Sequence, residues 1–257
     1  MPITHHSLWR ANANSNLISS PLSADLHSEL VIIGAGYSGL CAALHAAEQG
    51  MRVHVLEANT VGHGGSGRNV GLVNAGLWTP PDEVETALGQ VAGITLNHAL
   101  AAAPELVFSL IEKHQIECEA LRHGTLHCAS NNAGLRQLKQ RLAQQVKRHA
   151  PVTLLGASDT FQRTGSCQFL GALLDPRAGT LQPLNYALGL AHAATRAGAV
   201  IHTQSPVITH QRKGNHWLVN TAHGSVTADK LIHATNAYDT LLPRSTAFTS
   251  VDYVQFA

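Results

Sequence analysis

The chain has 257 residues, 44% of them apolar and 13% charged, which suits a globular protein of one large domain or one and a half. Seventeen Lys and Arg face sixteen Asp and Glu, for a formal net charge of +1; that balance supports neither nucleic acid as a partner nor electrostatic docking on anionic lipid. The four cysteines, Cys41, Cys118, Cys128 and Cys167, form no C-x-x-C pair, so neither a zinc site nor a redox couple is expected, and they read as buried thiols in a reducing compartment.

The stretch from Met1 to Asn16 has neither the basic start nor the apolar core of a secretory leader. No uninterrupted apolar run approaches the ~18 residues of a membrane-spanning helix. A cytoplasmic protein without a membrane span is therefore expected. His5-His6 reads as tail rather than as metal ligands, and no metal centre is expected. Residues 1–28 read as an arm leading to the first strand.

That strand is Leu30-Val31-Ile32-Ile33, an apolar run of the kind buried in parallel sheets. Gly34, Gly36 and Gly39 follow at G-x-G-x-x-G spacing, with Ala35, Tyr37 and Ser38 between them. This spacing permits a tight turn, close approach of the backbone to a pyrophosphate, and close packing of helix on strand. A helix with Leu40, Ala43, Leu44 and Ala47 on one face ends at Gly50. A second strand, Val53 to Leu56, stops at Glu57, which lies 57 − 36 = 21 positions after Gly36. An acid about 20 residues on is placed to meet a ribose hydroxyl. A plain βαβ unit with a glycine-rich turn accounts for Gly34, but not for Gly36 or Glu57. A bound adenine dinucleotide accounts for all three, its phosphates lying at a helix N-terminus where N–H groups and the helix dipole favour an anion.

A second glycine-rich loop, Val61 to Asn69, follows at once. Gly65, Ser66, Gly67, Arg68 and Asn69 can bring backbone N–H groups, a hydroxyl, a guanidinium and an amide to the far end of the same cofactor. A simple nicotinamide domain has no need of it. A nicotinamide-linked dehydrogenase is thus the less favoured alternative.

Trp78 to Asp82 reads as a break, with Asp82 capping a helix that carries Val84, Leu88, Val91 and Ile94. A second helix, Ala99 to His114, presents Ala99, Ala102, Leu106, Leu110 and Ile111. The run GTLHCAS, within Cys118 to Ser130, alternates like a strand. Asn131 caps a helix to about His149 whose basic residues, Arg136, Lys139, Arg141, Lys147 and Arg148, read as a solvated face. Phe169 to Leu174 is strand-like, and Asp175 to Gly179 is a turn. Leu181-Gln182-Pro183 leads into a helix from Leu184 to Arg196. Ala199 to His202 is a strand, and Ser205 to Ile208 starts another. His216 to Val219 and Ser225 to Thr227 form a hairpin. Lys230 to Ala234 is a final parallel-type strand, ending in Thr235-Asn236-Ala237-Tyr238.

GAGYSG followed by LEANTVGHGGSGRNVG resembles the amino-terminal part of the D-amino acid oxidase-type flavoenzymes. Within that superfamily it is most similar to the bacterial branch of γ-glutamylputrescine oxidase-like and pipecolate oxidase-like enzymes. The Trp-containing lead-in and the later order of elements, down to Ser-Pro-Val and ATNAY, match as well. The resemblance implies an α/β fold: a Rossmann-type FAD-binding domain, parallel sheet with β-meander and helices, interrupted by an incomplete α+β substrate domain. The implied boundaries are an arm at 1–28, FAD-binding residues 29–80 and 171–240, a helical insert with part of the substrate domain at 81–170, and the start of a further substrate sheet at 241–257. The sheet should hold Val31, Val53, Val200 and Leu231 together. FAD is the implied cofactor, held by Gly34 to Gly39, Glu57, Ala58, Gly65 to Asn69, Val207 through its backbone, and Asn236. Arg68 is the implied group that tunes the flavin. His63 is a weaker candidate for covalent attachment.

The implied activity is oxidation of a C–N bond in an amine or amino acid. Hydride passes to the flavin, the imine hydrolyses, and oxygen or another electron acceptor takes the electrons. Relatives continue beyond the position of Ala257, so a truncated, non-catalytic FAD-binding remnant is the other expectation.

Overall fold

The computed structural model describes residues 7–238; the strand-like segment Val251 to Phe256 and the expected sheet start at 241–257 lie outside them. In chain order the elements are α1 (Leu8–Ala11), β1 (Leu26–Ile33), α2 (Tyr37–Glu48), β2 (Val53–Leu56), a 3-10 turn (Gly65–Gly67), β3 (Leu72–Val73), α3 (Pro81–Leu88), α4 (Gln90–His114), β4 (Thr125–Ala129), α5 (Asn132–Lys147), β5 (Thr153–Gly156), α6 (Ala157–Thr164), β6 (Gly171–Asp175), β7 (Gly179–Thr180), α7 (Pro183–Arg196), β8 (Val200–His202), β9 (Thr209–Lys213), β10 (His216–Asn220), β11 (Ser225–His233) and a 3-10 turn (Asn236–Tyr238). They form two compact units. The first takes in residues 7–70, His114–Cys118 and residues 182–238 of the described chain; the second takes in Gly71–Lys113 and Glu119–Leu181.

The first unit is built on a six-stranded sheet in the order β8-β2-β1-β11-β10-β9. Its first four strands run parallel, and β10 and β9 complete an antiparallel meander. Val31, Val53, Val200 and Leu231 therefore share one sheet. Side chains alternate across it. Val31, Ile33 and Leu56 join Leu22, Val219, Val226 and Ala228 in one buried cluster. Helix α2 packs on β1, β2 and α7, burying Gly39, Leu40, Ala43, Leu44 and Ala47.

Two strands differ from the sequence reading. Ser225 to Thr227 and Lys230 to His233 are a single strand, β11, pairing with β10 through its first half and with β1 along its length. The residues left between the two expected strands are Ala228 and Asp229. Ala228 is buried in the core cluster and Asp229 is exposed on the strand, with His216 Nδ1 2.9 Å from Asp229 Oδ1. Residues 205–208 are not strand. Pro206 has no N–H for a ladder, and this segment bonds sideways instead: Ser205 N donates to Glu57 O and Ile208 N to Asn220 O, both at 2.8 Å.

In the second unit β4, β6 and β5 form an antiparallel sheet, and α5 packs on it through a cluster of Ala129, Leu138, Val152 and Leu173. Asn131 caps α5 by accepting from Gly134 N at 2.8 Å. The cap expected at Asp82 is corrected: Pro80 is the N-cap, Pro81 opens α3, and Asp82 sits in the first turn. The solvated basic face of α5 holds at Arg136, Lys139 and Lys147, which are exposed, and is corrected at two positions. Arg148, with only 16% of its side chain exposed, bonds Asp82 Oδ1 at 2.5 Å and Glu85 Oε1 at 2.7 Å, and Arg141 donates to the carbonyls of Leu77 and Trp78. β5 and α6 were not read as elements at all.

The two helices expected between residues 84 and 114 divide at Gly89, where φ is +79°, and α4 then runs unbroken for 25 residues with Pro104 inside it. It is long and apolar enough, by length and composition alone, to cross a membrane. The sequence reading missed it because Gly93, Asn97, His98 and Pro104 interrupt every apolar run. The thiols also differ: Cys118 is buried, Cys41 and Cys128 are half-buried, and Cys167 is exposed. Burial pushes the Cys41 thiol up to about 11.

On β2 and β8 the rings of His54 and His202 stack with centroids 5.2 Å apart, and His54 Nδ1 lies 2.9 Å from His202 Nε2. One ring donates and the other accepts, so the contact requires at least one neutral imidazole. Burial lowers both rings from their ordinary value of 6.5, and His202 lowers His54 further. A depressed folded value means the unfolded chain binds more protons, so this stabilisation is present above 6.5 and is lost as pH falls through the lowered folded values. Thermal melting between pH 7.5 and 5 should show the protein losing stability, and His202→Gln should narrow that loss. An equal loss in the variant would remove the pair as a source of the acid sensitivity.

Candidate functional site

The carboxyl ends of β1, β2, β8 and β11 meet around residues 34–39, 57–69 and 202–207. Gly34 N donates to Leu56 O at 2.8 Å, and Ala234 N to Ile33 O at 2.9 Å. Gly34 has φ +105°, and a Cβ there would stand 2.6 Å from Ala234 O. A Cβ on Gly39 would stand 2.0 Å from Gly34 O. The missing side chains bring the first turn of α2 down onto the strand end.

The second glycine-rich loop is fastened to this turn. Gly62 N donates to Ala35 O at 3.0 Å. Ser66 Oγ accepts from Tyr37 N at 3.0 Å, in the space that a Cβ on Gly36 would enter to 2.8 Å. Asn69 Nδ2 donates to the carbonyls of Gly65 and Ser66 and to Tyr37 Oη, at 3.2, 3.0 and 3.2 Å. Tyr37 Oη in turn donates to Pro183 O at 3.0 Å. Its ring meets Tyr186 edge-on with centroids 5.2 Å apart, and burial holds both phenols far above their ordinary range.

Glu57 joins the two loops from the end of β2. Its Oε2 accepts from Ala35 N and its Oε1 from Asn59 N, each at 2.8 Å. Each oxygen keeps acceptor capacity beyond that bond. Ala58 and Ser38 are exposed beside it. Val207 is half-buried and packs on the core cluster; two residues before it, Ser205 N donates to the Glu57 carbonyl. Arg68 is exposed; its Nε donates to Gly64 O at 3.2 Å and its guanidinium to Tyr238 Oη at 3.1 Å. Asn236, with φ +52°, opens the 3-10 turn after β11, and its Oδ1 accepts from Ala237 N at 2.7 Å. His63 is exposed on the same loop.

This donor set suits a dinucleotide. The N-cap of α2 is Gly36, which has no side chain to cap the helix; Ser66 Oγ takes the Tyr37 N–H, and the rest of the helix end is open to an anion. A carboxylate with spare acceptor sites lies on one side, and a hydroxyl, an amide and a cation lie on the other.

Residues 29–252 match the family described as FAD dependent oxidoreductase, or DAO. The chain belongs to this DAO family of FAD-dependent oxidoreductases. It is 34% identical over 241 residues to the probable oxidoreductase OrdL of Haemophilus influenzae, covering 93% of this chain and 56% of that protein. It is 33% identical over 240 residues to gamma-glutamylputrescine oxidoreductase of Escherichia coli, covering 92% and 56%. The chain thus spans a little over half the length of these curated relatives. Among solved structures it is similar to glycine oxidase from Geobacillus kaustophilus, at a TM-score of 0.69 and 20% identity over 83% of this chain and 56% of that one. It is also similar to L-amino acid deaminase from Proteus myxofaciens, at 0.70 and 19% over 87% and 48%. Membership of the DAO family decides between the two dinucleotides left open by the glycine triplet: the cofactor is FAD.

The DAO fold here uses four residues that the sequence reading left without a role at the site. Tyr238 packs its ring against Gly64, where a Cβ would stand 2.9 Å from it. Ser205 is buried and its Oγ accepts from Leu22 N at 2.9 Å. Gln182 caps α7 through Asn185 N at 2.8 Å. Trp9 donates to Asn69 O at 2.8 Å. Their neighbours in ATNAY, Ser-Pro-Val and SLWRANANSN were the available signals, but sequence alone does not say which side chain reaches which loop.

Ser66→Ala removes the acceptor that faces Tyr37 N at the start of α2. A net loss of about 1 kcal/mol, that of one intramolecular hydrogen bond, is expected in urea unfolding of the apoprotein. Unchanged stability would mean that water replaces the hydroxyl at no expense.

Proposed function

We propose that the protein is an FAD-dependent oxidoreductase that oxidises the C–N bond of an amine or amino acid, with a γ-glutamylputrescine- or pipecolate-like molecule as its substrate. The observation that carries this reading is the convergence of Glu57, the open N-terminus of α2 and the Gly65–Asn69 loop at one set of strand ends in a DAO-family chain. The 33% identity with gamma-glutamylputrescine oxidoreductase supports the amine side of it.

In this reading Glu57 accepts hydrogen bonds from the adenosine ribose, and the backbone of Val207 holds the adenine. The pyrophosphate lies at Gly34 to Gly39, against the start of α2. Gly65, Ser66, Gly67 and Asn69 hold the part of the cofactor beyond it, with Ala58 and Asn236 at its margins. Arg68, fixed by Gly64 and Tyr238, sets a positive charge beside the flavin. When bound, FAD supplies the two-electron acceptor for the hydride leaving the substrate α-carbon. The amine loses a proton, and the imine hydrolyses in water to a carbonyl compound and an amine or ammonia. Oxygen or another acceptor takes the electrons onward.

Two measurements test this. The purified protein should be yellow and should consume oxygen, or reduce an added dye, with a member of a panel containing γ-glutamylputrescine, pipecolate and free amino acids. Bound flavin without turnover of any member would overturn the catalytic part. Glu57→Ala should weaken FAD binding by about 1–3 kcal/mol, the penalty for orphaned polar partners. An unchanged dissociation constant would take Glu57 out of the site.

A further inference from the structure

The arm before β1 is hydrogen-bonded to the first unit along its length. Ser19 Oγ donates to Ile201 O at 2.5 Å and accepts from Thr203 N at 3.1 Å. Asn14 N donates to Asn185 Oδ1 at 3.2 Å, and the Arg10 guanidinium to Thr60 Oγ1 at 3.0 Å. Gln182 Nε2 donates to Trp9 O at 2.9 Å. Most of these contacts only anchor the arm. One reaches the cofactor loop: the indole Nε1–H of Trp9 donates to Asn69 O at 2.8 Å, partly shielded from water.

Asn69 is the residue through which that loop is held together. Its side chain spans Gly65 O, Ser66 O and Tyr37 Oη, and Ser66 Oγ takes the Tyr37 N–H at the N-terminus of α2. Three hydrogen-bonded steps therefore lead from the arm to the helix end, by way of Asn69 and Ser66. We infer that Trp9 is a positioning residue of the FAD site, its indole locking the second glycine-rich loop in the conformation that receives the cofactor. The arm is a working wall of that site.

The inference rests on the FAD assignment, and the experiment separates the two. Trp9→Phe keeps an aromatic ring and removes the N–H. FAD titration of the apoprotein, followed by flavin fluorescence, should give a dissociation constant raised about three- to tenfold, the equivalent of one shielded hydrogen bond. The visible band of the bound flavin should lose fine structure, while apoprotein melting falls no further than in Ser19→Ala. Ser19→Ala breaks two arm bonds away from the loop and should leave the FAD constant unchanged. An unaltered FAD constant in Trp9→Phe overturns the inference. So does an equal rise in Ser19→Ala, which would make arm docking in general, rather than the indole, responsible. Failure of the unaltered protein to bind FAD overturns the cofactor assignment and this inference together.

Discussion

The contact on which the first unit depends is that between Gly39 and the carbonyl of Gly34. A side-chain carbon on Gly39 would lie 2.0 Å from that oxygen, far inside any tolerable separation, so α2 reaches its seat only because the carbon is absent. Everything nearby inherits its position from this seat. The buried face of α2, Leu40 through Ala47, meets β1, β2 and α7 from there, and the open helix end is aimed past the strand termini. A shift of the helix by about one methyl radius would break the Ser66–Tyr37 bond and leave the second loop held to the first turn through Gly62 N and Ala35 O.

What then holds the site is polar rather than apolar. Glu57 ties the turn after β1 to the segment after β2, Asn69 ties the second loop to Tyr37, and Ser205 ties the segment after β8 back to Glu57. These bonds join pieces of chain far apart in sequence. A site made this way is stiff only when each link is satisfied, because an orphaned partner forfeits more than the bond itself is worth.

Much of the first unit was legible in the sequence, for physical reasons. Parallel strands buried on both faces read as continuous apolar runs, and Val31 and Val53 lie in two of them. A glycine triplet between such runs has few structural meanings. The second unit was harder. α4 hid behind Pro104 and scattered polar residues, and α6 has Thr160 as its buried residue. Arg148 was read as solvated because its acidic partners, Asp82 and Glu85, lie 66 and 63 positions away. At the site, residue types with one obvious chemistry, Glu57 and the glycines, stood out. Trp9 and Tyr238 did not, since each acts through a single hydrogen bond to a loop that only the folded chain brings near.

The union of two expected strands into β11 bears on how the chain reaches its fold. Leu26 pairs with Val226, 226 − 26 = 200 positions later. During synthesis β1 and β2 emerge early, yet β11, which lies between β1 and β10, follows every other described strand in the chain. Until then one long edge of an apolar parallel pair stands without its neighbour, and the meander has nothing to build on. Contacts this distant in sequence slow folding and lengthen the exposure of sticky edges. The nascent chain thus carries that unpaired edge until β11 emerges, and the second unit, whose segments lie wholly between β2 and α7, can fold while the first waits.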